Sequence, residues 1–79
     1  MAEDNKLVDA FDKNSVEEIR TQVSLFRGKK MVDIRIWAKT DEGKDPIPTK
    51  KGVTFNADLL PRLKESMAKA EEMLKTLID

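Results

Sequence analysis

Trp37 stands among cations. Reading Met31 to Lys39 as a strand, whose side chains alternate between two sides, puts Val32, Ile34, Ile36 and Ala38 on one face. Met31, Asp33, Arg35, Trp37 and Lys39 fall on the other. The first is a core face. The second combines a large aromatic with cations and lacks matching apolar neighbours, a combination suited to stacked bases and phosphates. Arg27, Lys29, Lys50 and Lys51 carry the cationic set onto the flanking hairpins, and each phosphate they neutralise would release counterions and make binding salt-dependent. Phe26 is out of phase with Val23 and Leu25, which would turn it toward the same ligand side. Asp33 reads as an orienting partner for a neighbouring cation, since negative charge repels a nucleic-acid backbone. The opposite placement, Trp37 in a core, would carry Arg35 and Asp33 inward with it unless a bulge changed the register.

These residues need a sheet to hold them. Ser15 to Glu18 fits a helix capping box, but the alternation at Ile19, Thr21, Val23 and Leu25 favours a strand over roughly 18–26. Arg27-Gly28 then forms a tight hairpin, with glycine supplying a positive φ, and a second strand runs over 29–39. Residues 40–49 carry two prolines and a glycine and read as turn, with room for one short edge strand near Ile47. Lys50 to Phe55 alternates β-branched and aromatic residues and is the last strand.

A helix over 57–78 follows, capped by Asn56 or Asp58, with Leu60, Leu63, Met67, Ala70, Leu74 and Leu77 spaced as a heptad seam. Pro61 is harmless in its first turn if Asp58 is the cap. Leu59, Met73 and Ile78 widen the apolar stripe, so the helix covers its own sheet and still offers a surface, Leu63, Met67, Ala70, Leu74 and Leu77, to a second chain. Residues 1–14 are polar and acidic with scattered Leu7, Val8 and Phe11, and read as a flexible arm or short terminal helix ahead of a domain over 15–79.

A chain of 79 residues is one domain that buries only about 60% of its unfolded surface, so oligomerisation is the expected remedy for marginal stability. Without cysteine or histidine, disulfide frameworks, thiolate metal sites and histidine-based triads are excluded. The net charge is zero, yet unevenly spread. Residues 1–19 have two lysines against six acids, and residues 20–53 have nine cations against four acids, which places an electropositive patch mid-chain. Glu17-Glu18, Asp41-Glu42 and Glu71-Glu72 are sequence neighbours that diverge in a strand or helix, so none makes an acid/base pair. Lys50-Lys51-Gly52 lacks the spacing of a phosphate-binding loop. No enzyme is implied, and no cofactor. No apolar run approaches bilayer length and the acidic start does not read as a signal peptide, which implies a soluble intracellular protein with no membrane partner, cytoplasmic or in the nucleoid if bacterial, nuclear if eukaryotic.

Residues 19–78 resemble the single-stranded-DNA-binding domain of the transcriptional coactivator positive cofactor 4. The resemblance rests on Phe26-Arg27-Gly28-Lys29, on Val32-Asp33-Ile34-Arg35 followed by an aromatic, on Lys50-Lys51-Gly52-Val53-Thr54-Phe55-Asn56, and on Leu63-Lys64-Glu65. It implies an α+β fold, a curved four-stranded antiparallel sheet followed by one long helix, joined through the helices into a homodimer with paired channels for single strands. It also implies DNA contacts at Phe26, Arg27, Lys29, Arg35 and Lys51. Trp37 stands one position before the family's stacking tryptophan. Together, residues and resemblance point to binding of single-stranded DNA with little sequence preference, in transcription, replication or repair. The rival is a dimeric protein-interaction module that docks a transcription or replication factor through the apolar helix and Trp37; RNA or duplex binding on the same basic sheet is a further alternative.

Overall fold

The computed structural model describes residues 4–40 and 43–77. Residues 1–3, the Asp41-Glu42 pair and Ile78 lie outside the described residues. Four strands, β1 (Asp4–Asp12), β2 (Glu17–Phe26), β3 (Lys29–Ala38) and β4 (Ile47–Asn56), form an antiparallel sheet in chain order. A 3-10 turn (Ala57–Leu59) leads into the helix α1 (Leu60–Leu74). The class is the expected α+β, but two of the four strands differ from those read in the sequence.

The stretch expected to be a loose arm is β1, paired along β2 from Asp4↔Leu25 to Asp12↔Glu18. A register shift at Val8 hides it in the sequence. Leu7 and Phe11 would share a face in a regular strand, whereas the extra residue turns Phe11 opposite Ile19, onto the apolar side. At the other edge, the short strand near Ile47 and the last strand are one strand. Arg35 pairs with Gly52 and Trp37 with Pro48, so Thr49, Lys50 and Lys51 together face the single residue Ile36. Pro48 is tolerated because β4 is an edge strand and the missing donor has no neighbour to serve.

The β2–β3 hairpin is as read. Phe26 pairs with Lys29, and both turn residues, Arg27 (φ 53) and Gly28 (φ 78), have the left-handed backbone that a two-residue turn needs. In the β1–β2 turn, Asn14 Oδ1 accepts from the Val16 N–H, and Glu17 Oε1 accepts from Asn14 Nδ2 at 2.9 Å and Lys13 Nζ at 3.1 Å. These two hydrogen bonds, Asn14's the larger, hold the Glu17 carboxyl below its ordinary pKa.

Asn56 caps the 3-10 turn by accepting from the Asp58 N–H, and Pro61 sits harmlessly in the first turn of α1. Leu77 lies past the end of α1, so the seam within the helix is Leu60, Leu63, Met67, Ala70 and Leu74. The helix stands on the apolar side of the sheet, where Leu60 lines one pocket with Val23, Leu25 and Val32. It covers little. Within α1 every residue but Leu63 is exposed, and among the described residues only Val32 is fully buried, at 5% exposure.

Candidate nucleic-acid interface

The register turns one side of the sheet into ordered rows. Directly opposite one another on β2 and β3 are Gln22 and Asp33, Arg20 and Arg35, and Glu18 and Trp37, all on the side away from α1. Two arginines face to face would repel. Each is instead matched by an acid two residues away on its own strand: Arg20 Nε donates to Glu18 Oε1 at 2.9 Å, and Arg35 Nη2 donates to Asp33 Oδ1 at 2.8 Å.

Arg35 is tied further. Its Nε also donates to Asp33, its Nη2 to Thr54 Oγ1, and its Nη1 to the Thr49 carbonyl at 3.0 Å. Thr54 Oγ1 in turn donates to Asp33 Oδ1 at 2.6 Å. Hydrogen bonding to Asp33 raises the Arg35 pKa and keeps the guanidinium charged. Every nitrogen of Arg35 therefore has a protein acceptor, and the one at Thr49 braces the irregular part of β4. Thr49 completes that brace, donating from Oγ1 to the Ile36 carbonyl at 2.8 Å and accepting from the Lys51 N–H. At Gly52 a Cβ would lie 2.6 Å from the Ile34 carbonyl oxygen, so only glycine allows β4 to come this close to β3. Asp33 is the orienting partner the sequence suggested.

Trp37 lies on this polar side with Arg35, as the alternation required, and the alternative core placement does not arise. The guanidinium carbon of Arg20 sits 4.6 Å from the indole centroid, a cation–π arrangement. The indole Nε1–H is buried with no acceptor, so no hydrogen bond holds the ring.

The remaining cations fall into two groups. At the hairpin, Arg27 lies 5.2 Å from the Phe26 ring, and Lys29, opposite Phe26, puts both on the polar side. Lys50 and Lys51 are exposed in the irregular segment of β4 beside Arg35 and Trp37. Six residues of β3 separate the groups, roughly 20 Å, a span that a few extended nucleotides cover. Lys39 is expected in the same set but bonds Asp12 Oδ1 at 2.8 Å, fastening the end of β3 to the end of β1.

A family profile described as Transcriptional Coactivator p15 (PC4) matches residues 13–66, more than half of the sequence. The chain belongs to the PC4 family. This is a coactivator family with DNA-binding homologues. Among solved structures, a PC4 homologue from Burkholderia pseudomallei in a tetragonal crystal form superposes with a TM-score of 0.76 at 25% identity, covering 86% of this chain and 98% of the other. Its orthorhombic form gives 0.76 at 24% identity, covering 90% and 95%, a likeness of fold. A bacteriophage T5 homologue of the eukaryotic coactivator PC4, implicated in recombination-dependent DNA replication, gives 0.60 at 26% identity, covering 92% and 81%. Comparison with curated proteins found no match.

Within this PC4 domain the sheet thus gathers Phe26, Lys29, Arg35 and Trp37 on one side, with Arg27 at the turn and Lys50 and Lys51 at the β4 edge. Sequence reading missed Arg20, Glu18, Thr49 and Thr54. The signal for Arg20 was present: a two-residue turn at Arg27-Gly28 fixes the pairing, and counting back from it sets Arg20 opposite Arg35.

Proposed function

We propose that the protein binds single-stranded DNA, with little sequence preference, on the polar side of the sheet. The observation that carries this reading is the placement of Trp37 and Phe26 on the side away from the helix, with exposed cations at both ends of the row between them. Aromatic faces stack on any base and Arg27, Lys29, Lys50 and Lys51 neutralise phosphates. Arg35 and Lys39, whose charged groups already have protein partners, hold β3 against its neighbours and position the contact residues. The reading involves no chemical transformation of the DNA, and it fits a role in transcription, replication or repair.

The binding unit in this proposal is a homodimer. Leu60, Leu63, Met67, Ala70 and Leu74 line, with Ile34, an open groove of about 810 Å³ on the apolar side. A second copy supplies an apolar helix of the same length to fill it, and burying this surface would give each chain the core it lacks.

Fluorescence anisotropy with matched single-stranded and duplex oligonucleotides over a salt series tests the proposal. Tighter single-strand binding is expected, with log K falling against log salt by roughly 0.7 per phosphate contacted. Tighter duplex binding, or affinity indifferent to salt, would overturn it, and binding of a protein partner without DNA would favour the docking-module alternative.

A further inference from the structure

The two arginines at the centre of the polar face are opposite each other in register, but they are bonded differently. Arg35 has an acceptor on each of its three nitrogens: Asp33 on Nε, Asp33 and Thr54 on Nη2, and the Thr49 carbonyl on Nη1. Arg20 uses one. Its Nε donates to Glu18, and among the described residues neither terminal Nη group has an acceptor. Those groups are not sealed off either, for among the described residues the single buried side-chain polar atom without a partner is Trp37 Nε1.

We propose that Arg20 is a phosphate-binding residue of this sheet, while the neighbouring Arg35 is a structural brace. The inference rests on the single-strand reading above and adds a contact to it. Glu18 holds the guanidinium through Nε and Trp37 supports its plane at 4.6 Å, so the Nη pair is presented as a fixed fork. Such a fork matches two oxygens of one phosphate. Neighbours on the row do not obstruct it: Arg20 is flanked across the strands by Ala10 on one side, and beyond Arg35 lies Gly52. A nucleotide whose base meets Trp37 has its own backbone within one side chain's reach, which makes a backbone phosphate the fitting ligand.

Arg20→Ala, Arg20→Lys and Arg35→Gln are compared with the unaltered protein by titrating a labelled oligothymidylate at several salt concentrations, with thermal melts alongside. Arg20→Ala is expected to weaken binding about tenfold and to make the salt slope shallower by about 0.7, the loss of one phosphate contact. Arg20→Lys keeps the slope, because the charge stays. Arg35→Gln lowers the melting temperature and leaves the slope unchanged. If Arg20→Ala melts early, Arg20→Gln retains most of the stem over Trp37 and is read by the same slope criterion.

Affinity and slope both unchanged in Arg20→Ala would overturn the proposal. So would weaker binding with an unchanged slope, since Arg20 would then be a prop for Trp37. Failure of the unaltered protein to bind the oligothymidylate would remove the single-strand reading itself, a result separate from either of these.

Discussion

On the polar face of the sheet, Glu18, Arg20, Asp33 and Arg35 are each only about a fifth exposed, although charged side chains ordinarily lie open to water. On the apolar face, Val53 is 52% exposed, Leu25 40% and Val23 38%, and on the helix Met67 and Leu74 are more exposed still. The usual order is inverted. Charged residues here close over one another through two ion pairs, a threonine and an indole, all within one chain, whereas the hydrophobic side has a floor and no lid. One face is closed within the single chain and the other lies open. The difference teaches that, in the proposed function, DNA contact belongs to the exposed residues of the polar side, while Asp33 and Arg35 within it and the whole apolar side serve stability, so contact and stability can be altered separately.

The largest effect should come from the unfinished side. Ala70→Glu places a charge in the apolar groove beside Ile34, Leu63 and Met67, and an unpaired buried charge costs about 3–5 kcal/mol. Sedimentation should show dissociation, and the melting temperature of the unaltered protein should rise with its concentration. A concentration-independent melt together with an intact variant would show that the apolar face needs no second copy.

Gly52→Ala should come next, at about 2 kcal/mol. Its methyl would meet the backbone of Ile34 and Arg35, which cannot swing aside as a side chain would, and chemical denaturation measures the loss. Asp33→Ala should destabilise by about 1–2 kcal/mol, because it strips partners from both Arg35 and Thr54. If it left denaturation unchanged, the closed lattice would be ornament and the contrast between faces would weaken.

Trp37 separates binding from folding. Trp37→Phe removes an indole N–H that has no acceptor, so folding stability should change by less than about 1 kcal/mol. Trp37→Ala should weaken single-strand binding by about 1–3 kcal/mol. The smallest effect belongs to the β1–β2 turn. Glu17 has a folded pKa below its ordinary value of 4.5, so its contribution to stability is full above that value and fades as pH falls through the lowered one. Glu17→Gln should therefore narrow the melting difference between neutral and acidic pH, a shift to be read by calorimetry.

Much of this was legible in the residues. The alternation from Met31 to Lys39 separated Trp37 and Arg35 from Val32 and Ile34, and the Arg27-Gly28 turn fixed the central register, because period-two patterns hold wherever pairing is regular. Irregular pairing is where the reading went astray. At Val8 an extra residue switches the parity of β1, so its apolar residues look scattered. At Thr49–Lys51 three residues face one, and the strand on either side reads as two. Arg20 was overlooked for a different reason: nothing in the sequence says which of two facing arginines will have its nitrogens consumed, a matter settled only in the folded sheet by Thr49 and Thr54, fourteen and nineteen residues along the chain from Arg35.

The same two irregularities bear on how the molecule behaves in a crowd. An open sheet has two margins of unpaired amides and carbonyls, each a template on which another chain could add a strand without limit. Here one margin is broken at Val8 and the other at Thr49–Lys51, with Pro48 lacking a donor beside the break and two lysines projecting from it. Growth along the sheet is thereby discouraged at both ends, which leaves the broad apolar face for the association with a second copy proposed above.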